Sequence, residues 1–270
     1  MTASGPVELI LEADGLRDTD KTQQDDLSRQ CSLITTTGIR RLVWTYEPGV
    51  EPLIRQVQRQ TGIAVIPVLP NMAAYVRDTI EMGVVGAALL RFRRLSFGAR
   101  FRLAITNAPN AFRVLRRDFN TGALILLETE LGRVLSLRPR EIMLHPTLTD
   151  FALALGNQRL FEQFTDLCQN RYGVRPWLKT HNVGLLLPAL SRWGIEGATV
   201  VAPFNPKGYW MHPSKDACEE AARGTTIQLV ATEVDADGTI PLAEGLAYIQ
   251  TLGLRAAIVS RPEPLQDRTP

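Results

Sequence analysis

Two of the chain's three histidines, His145 and His181, stand directly after short apolar runs. Four carboxylates, Glu12, Asp14, Glu47 and Glu233, stand in the same kind of place. Imidazole and carboxylate are the side chains of general acid–base chemistry, in which one group removes a proton while another returns it. Both are also ligands for a divalent metal. No HxH or HExxH pattern occurs and the candidate ligands fall on separate segments, so no metal is predicted, although the sequence leaves a divalent ion open. Lys179 ends another apolar run, where its amine could form an imine with a carbonyl substrate. Asn71, Asn182 and Asn205 offer amides to orient a substrate or its developing oxyanion, and Tyr209 and Trp210 could line a pocket for an apolar or planar ligand. Each histidine has a plainer reading as a helix cap or as the partner of a buried carbonyl; two at successive run ends point to a site.

The elements that must hold these groups follow from periodicity. Eight runs rich in Val, Ile and Leu read as strands: residues 8–14, 41–47, 64–69, 141–145, 176–180, 198–202, 227–232 and 256–260. Most are followed by helices with recognisable ends. A helix over 51–61 stops at Gly62, Asn71 can cap one that stops at Gly83, and Thr147 with Asp150 resembles a capping box before 151–171. Asn182 precedes a helix ending at Gly194, Ser214 can cap one ending near Gly224, and Pro241 opens one that Gly253 closes. Eight strand–helix repeats with near-continuous apolar strands predict a (β/α)8 TIM barrel. In that architecture chemistry sits at the C-terminal ends of the strands, where all these polar groups stand. Alternation puts Glu12 and Asp14 on one face of the first strand, and it sets Lys179 and His181 against Thr180 and Asn182.

The 270 residues are 45% hydrophobic and 21% charged with a net charge of +2, which excludes disorder as the main state and allows a full core. The longest apolar run, 84–90, is too short to cross a membrane, and the first residues lack the pattern of a signal peptide. With three widely spaced cysteines, a reducing, cytoplasmic setting is expected. One domain is predicted over 1–270, interrupted by a basic helical insertion over 84–137. Arg91, Arg93, Arg94, Arg100, Arg102, Arg113, Arg116 and Arg117 fall in this insertion, interleaved with phenylalanines, and residues 82–117 contain no acid. Outside that segment 22 of the 30 basic residues face 28 acidic ones. Such a patch suits an anionic membrane surface and peripheral membrane association; it also suits pairing with the acidic body. Nucleic acid is disfavoured, because no helix-turn-helix, zinc or ribonucleoprotein signature accompanies it.

From His145 onward the order of segments resembles the aldo-keto reductase barrel. Residues 141–146 (EIMLHP) look like that family's strand ending in its catalytic histidine, and 180–183 (THNV) look like its Ser-Asn-Phe turn. Residues 201–205 (VAPFN), 229–234 (LVATEV) and 256–264 (AAIVSRPEP) are similar to its last three strands. The resemblance implies a barrel and an NADPH-dependent reductase. Only His145 and Asn182 match the family's functional positions. Leu69-Pro70-Asn71 stands where the family has its lysine, Thr45-Tyr46-Glu47 where it has its Asp and Tyr, and Thr232 where it has the aromatic residue that stacks on the nicotinamide. The expected activity is therefore a non-redox, lyase- or isomerase-type reaction on a small carbonyl-bearing substrate. His145 and His181 would move protons, with Glu12, Glu47 or Glu233 as carboxylate partner. The alternatives are an NADPH-dependent reductase and a non-enzymatic protein that binds through its arginines.

Overall fold

A computed structural model describes residues 6–13, 31–32, 34–47, 49–72, 75–77, 80–81 and 119–260. Its strands are β1 (Glu8–Glu12), β2 (Arg41–Thr45), β3 (Ala64–Leu69), β4 (Glu141–Leu144), β5 (Arg175–Lys179), β6 (Thr199–Pro203), β7 (Leu229–Thr232) and β8 (Ala256–Val259). Each pairs in parallel with the next, and β8 pairs with β1, so the sheet closes into an eight-stranded barrel. The described shell helices are α1 (Glu51–Thr61), α2 (Phe119–Val134), α3 (Pro146–Ala154), α4 (Gln158–Asp166), α5 (Val183–Trp193), α6 (Lys215–Arg223) and α7 (Leu242–Thr251).

Closure explains the near-continuous apolar strands. Side chains alternate between an interior and an outer face that the helices cover, so both must be apolar. The interior set is Ile10, Val43, Ile66, Val68, Met143, Trp177, Val201, Val230, Ala256 and Ile258, all buried. Below it, at the N-terminal ends of the strands, ion pairs close the barrel: Arg41 with Glu8 at 2.6 Å, and Arg175 with Glu141. The Arg41 guanidinium also lies 5.4 Å over the Trp177 ring. Above it are the strand tops. The interior is thus a dry plug with charge at both ends.

Three expectations are corrected. The helix placed over 151–171 is two helices, because Gly156 takes φ +60° and the Asn157 side chain accepts from the Leu160 amide to start α4. Thr147 and Asp150 form no capping box; His145 caps α3 instead, and Asp150 is engaged elsewhere. Pro241 takes the cap position of α7 and Leu242 opens the helix. The end of the segment expected as an insertion also has a structural place: Leu127, Leu131 and Val134 of α2 are buried, and the helix packs on β3 and α4 as a member of the shell. Residues 82–118, with all eight arginines of the basic patch, lie outside the described residues.

Gly245 in α7 lets that helix sit against the loop that follows β7. A Cβ there would lie 1.9 Å from the Val234 carbonyl oxygen. Gly245→Ala is therefore expected to lower stability by about 1–3 kcal/mol, the usual cost of overpacking, as a reduced midpoint in urea unfolding.

Candidate active site

Directly above the apolar plug, the Lys179 ammonium reaches from β5 to β1 and donates to Glu12 at 2.7 Å; both side chains are only 17% exposed. Burial strengthens such a pair, because little water screens it. The pairing also changes the reading of Lys179. Its Nζ is engaged by the Glu12 carboxylate, whereas imine formation requires a free amine.

Glu233 joins this pair from β7. It is the first residue past the strand and takes φ +52°, a left-handed backbone unusual for a side-chain-bearing residue. Burial pushes its carboxyl pKa up; Lys179 pulls it down, and Glu12, Asp235 and Asp237 push it up again. A carboxyl raised in this way holds its proton more firmly than an ordinary glutamate.

The two histidines are held in opposite ways. His145 follows β4, and its Nδ1 accepts from the Thr147 amide at 3.2 Å as the cap of α3. That bond leaves the neutral ring with its proton on Nε2. Burial lowers the His145 pKa to about 4, with the charges of Lys179 and His181 acting in the same direction. The lowered pKa favours the neutral ring, which presents an N–H at Nε2. The plain reading as a helix cap holds at Nδ1.

His181 lies two residues beyond Lys179. Its Nδ1 is 3.0 Å from Asp150 Oδ2, which also accepts from the His181 amide at 3.2 Å. Asp150 Oδ1 accepts from the Thr180 hydroxyl. Burial alone would raise the Asp150 pKa, but the hydrogen bonds from His181, Thr180 and Asn182 more than reverse this and hold it below the usual value. Wherever the His181 ring is neutral, an ionised Asp150 places its proton on Nδ1 and leaves Nε2 as an acceptor. The parity conflict also resolves here. The strand ends at Lys179, Thr180 turns to Asp150, and His181 is free of the alternation.

Asp150 is the functional residue that sequence reading misplaces. Its spacing fits a local cap, and only the packing of α3 against β5 shows what it holds. The three asparagines are corrected as well. Asn182 supports Asp150, and its amide donates to the Thr180 hydroxyl. Asn205 is fully buried and spends its side chain on Tyr209, donating to the carbonyl and accepting from the amide. Asn71 is buried and donates to the Tyr46 carbonyl. Each thus makes a side-chain hydrogen bond within the protein, Asn71 and Asn205 to backbone groups and Asn182 to Asp150. Glu47 stands half-buried at the end of β2, and its carboxylate makes no hydrogen bond or ion pair among the described residues. Tyr209 and Trp210 are exposed at the rim, with the Trp210 ring 4.9 Å from His181. Asp14 lies outside the described residues.

A groove of about 720 Å³ on the outer face between α5 and α6, lined by Leu187, Ser191 and Ala221 among others, includes none of the mouth residues. Among the described residues no group of three or more His, Cys, Asp or Glu could hold a metal ion, and no helix is long and apolar enough to cross a membrane.

Among solved structures the chain is similar to a D-allulose 3-epimerase from Methylomonas sp., solved in complex with D-allulose, with a TM-score of 0.48, 12% identity, and coverage of 94% of this chain and 83% of that chain. No family model matches the chain, and no curated protein matches it. The likeness to aldo-keto reductases is not shown by these comparisons. The closed strand pairing by itself defines a (β/α)8 barrel.

The depressed pKa of His145 has a pH consequence. An unfolded histidine takes up a proton near pH 6.5, whereas folded His145 resists doing so until about pH 4. The contribution of neutral His145 to stability is complete above pH 6.5 and is lost as pH falls toward 4. The ring resonances of His145 are expected to stay unshifted from pH 8 down to 5 in an NMR titration; a midpoint near 6.5 would refute the assignment.

Proposed function

We propose that this chain is a non-redox enzyme of the isomerase or lyase type that moves a proton beside the carbonyl of a small-molecule substrate. The observation that carries this reading is the opposed fixing of two histidines at one barrel mouth, His145 as an N–H donor and His181 as a base. In the proposed step, His181 Nε2 takes the proton from the carbon next to the carbonyl. The C–H electron pair becomes the new C–C π bond, and the carbonyl oxygen gains the negative charge. His145 Nε2–H and the Lys179 ammonium stabilise that oxygen, in a site that excludes much of the water. Glu233 serves the second proton transfer in its acid form, which the raised pKa favours: it returns a proton to the enolate carbon in an isomerisation, or to a leaving group in an elimination, and regains a proton from solvent as His181 releases its own. Tyr46, the residue nearest the position of a reductase proton donor, gives no support to the redox alternative. It is fully buried, faces the shell, and its hydroxyl is held by Arg133 and Glu51.

Proton abstraction is read by deuterium wash-in from D2O, using a panel of ketones, aldehydes, ketoses and 2-oxo acids followed by NMR. His181→Ala and Glu233→Gln are each expected to slow exchange by about 10²–10⁴-fold, the range of a lost acid or base. Rates unchanged in both variants would overturn the assignment. Asp150→Asn is expected to release the Nδ1 proton of His181, seen as an altered pattern of its ring ¹⁵N shifts, and to slow exchange while the circular dichroism spectrum is kept. Unaltered ¹⁵N shifts would refute the role of Asp150 in positioning His181.

A further inference from the structure

We propose that Trp210 is a stacking platform for a ring carried by the substrate, so that this enzyme acts on carbonyl compounds bearing a ring with an apolar face. The proposal rests on the reading of the mouth given above and extends it to the part of the substrate that does not react.

Trp210 is 48% exposed, whereas Trp44 and Trp177 are 2% and 1% exposed in the core. Its backbone has φ +58°, a conformation that favours glycine and costs a bulky residue energy. A turn alone would be made more cheaply by glycine, so it is the indole that distinguishes this position. Backbone strain of this kind gathers where a side chain must be presented in one place.

The surrounding loop is built to hold the indole still. Asn205 grips both backbone groups of Tyr209 at 2.8 and 2.9 Å, and the adjacent Met211 is buried. The His212 amide donates to the His181 carbonyl at 3.1 Å, which joins this loop to the end of β5. Lys215 and Lys207 donate to the Pro206 and Thr239 carbonyls. The indole therefore has a fixed distance to the base, 4.9 Å between ring centroids at an interplanar angle of 47°. Tyr209 stands edge-on to Trp210 at 6.1 Å and is itself 37% exposed. Two exposed aromatic rings on a rigid loop beside a proton-moving histidine offer apolar area that a ligand can cover with little loss of protein entropy. An aryl ring presents such an apolar face, and so does the C–H face of a pyranose.

The test is saturation-transfer NMR on the full chain with two ring probes, 4-phenyl-2-butanone and methyl β-D-glucopyranoside. Their open-chain counterparts are 2-butanone and glycerol. At least one ring probe is expected to bind tenfold or more tightly than its counterpart, and which one does so separates aryl from sugar substrates. Trp210→Gly removes the indole and suits the left-handed backbone, so the fold is kept; it is expected to erase that preference. Trp210→Phe is expected to retain it. Equal binding of ring and open-chain probes, or a preference that survives Trp210→Gly, overturns the proposal. Binding is read without turnover. Ring selectivity with no deuterium exchange would refute the proton-transfer reading alone, whereas exchange with no ring selectivity would refute the platform alone.

Discussion

The dry interior of the barrel is the constraint on which the site depends. Ten buried side chains, with Trp177 the largest, fill the space between the two charged ends. Because an apolar layer lies directly beneath the mouth, charges above it are solvated from one side. The consequences differ by group. Lys179 and Glu12 neutralise each other directly, Glu233 becomes more basic, and His145 is kept from ionising. One environment thus separates the proton affinities of neighbouring groups, which is how a single pocket can hold both an acid and a base at one pH.

A second layer of organisation lies behind the mouth. Asp150 reaches from α3 to the end of β5 and accepts from Thr180 and His181. Asn205 fixes the loop that carries Trp210, and the His212 amide joins that loop to the His181 carbonyl. His181 and the aromatic rim are therefore tied together through the backbone. The asparagines that look like substrate ligands in the sequence make hydrogen bonds within the protein. Asn71 and Asn205 are buried and bond backbone groups, whereas the Asn182 side chain bonds Asp150.

How much of this was legible in the sequence depends on range. The strands were, because closure demands apolar residues on both faces and such runs are visible one at a time. Their C-terminal polar residues were legible too, since the barrel rule assigns chemistry to that end. The helix start at Ser214 was clear, because its hydroxyl accepts from the Ala217 amide three residues on. The break at Gly156 was hidden, because one glycine inside a helical pattern does not announce whether the chain will turn there.

The amino-acid sequence by itself determined the eight strands, the barrel and the set of residues at its mouth, since these follow from periodicity and local composition. Tertiary structure decided what each mouth residue does. Whether His145 is an acid or a fixed donor depends on the Thr147 amide and on a charge from another strand. Whether Lys179 is a nucleophile or an ion-pair partner depends on Glu12, 167 residues away. Whether Asp150 caps a helix or holds His181 depends on how α3 packs. Protonation and hydrogen bonding are set by neighbours in space, and closing a barrel is what makes residues from distant strands into neighbours.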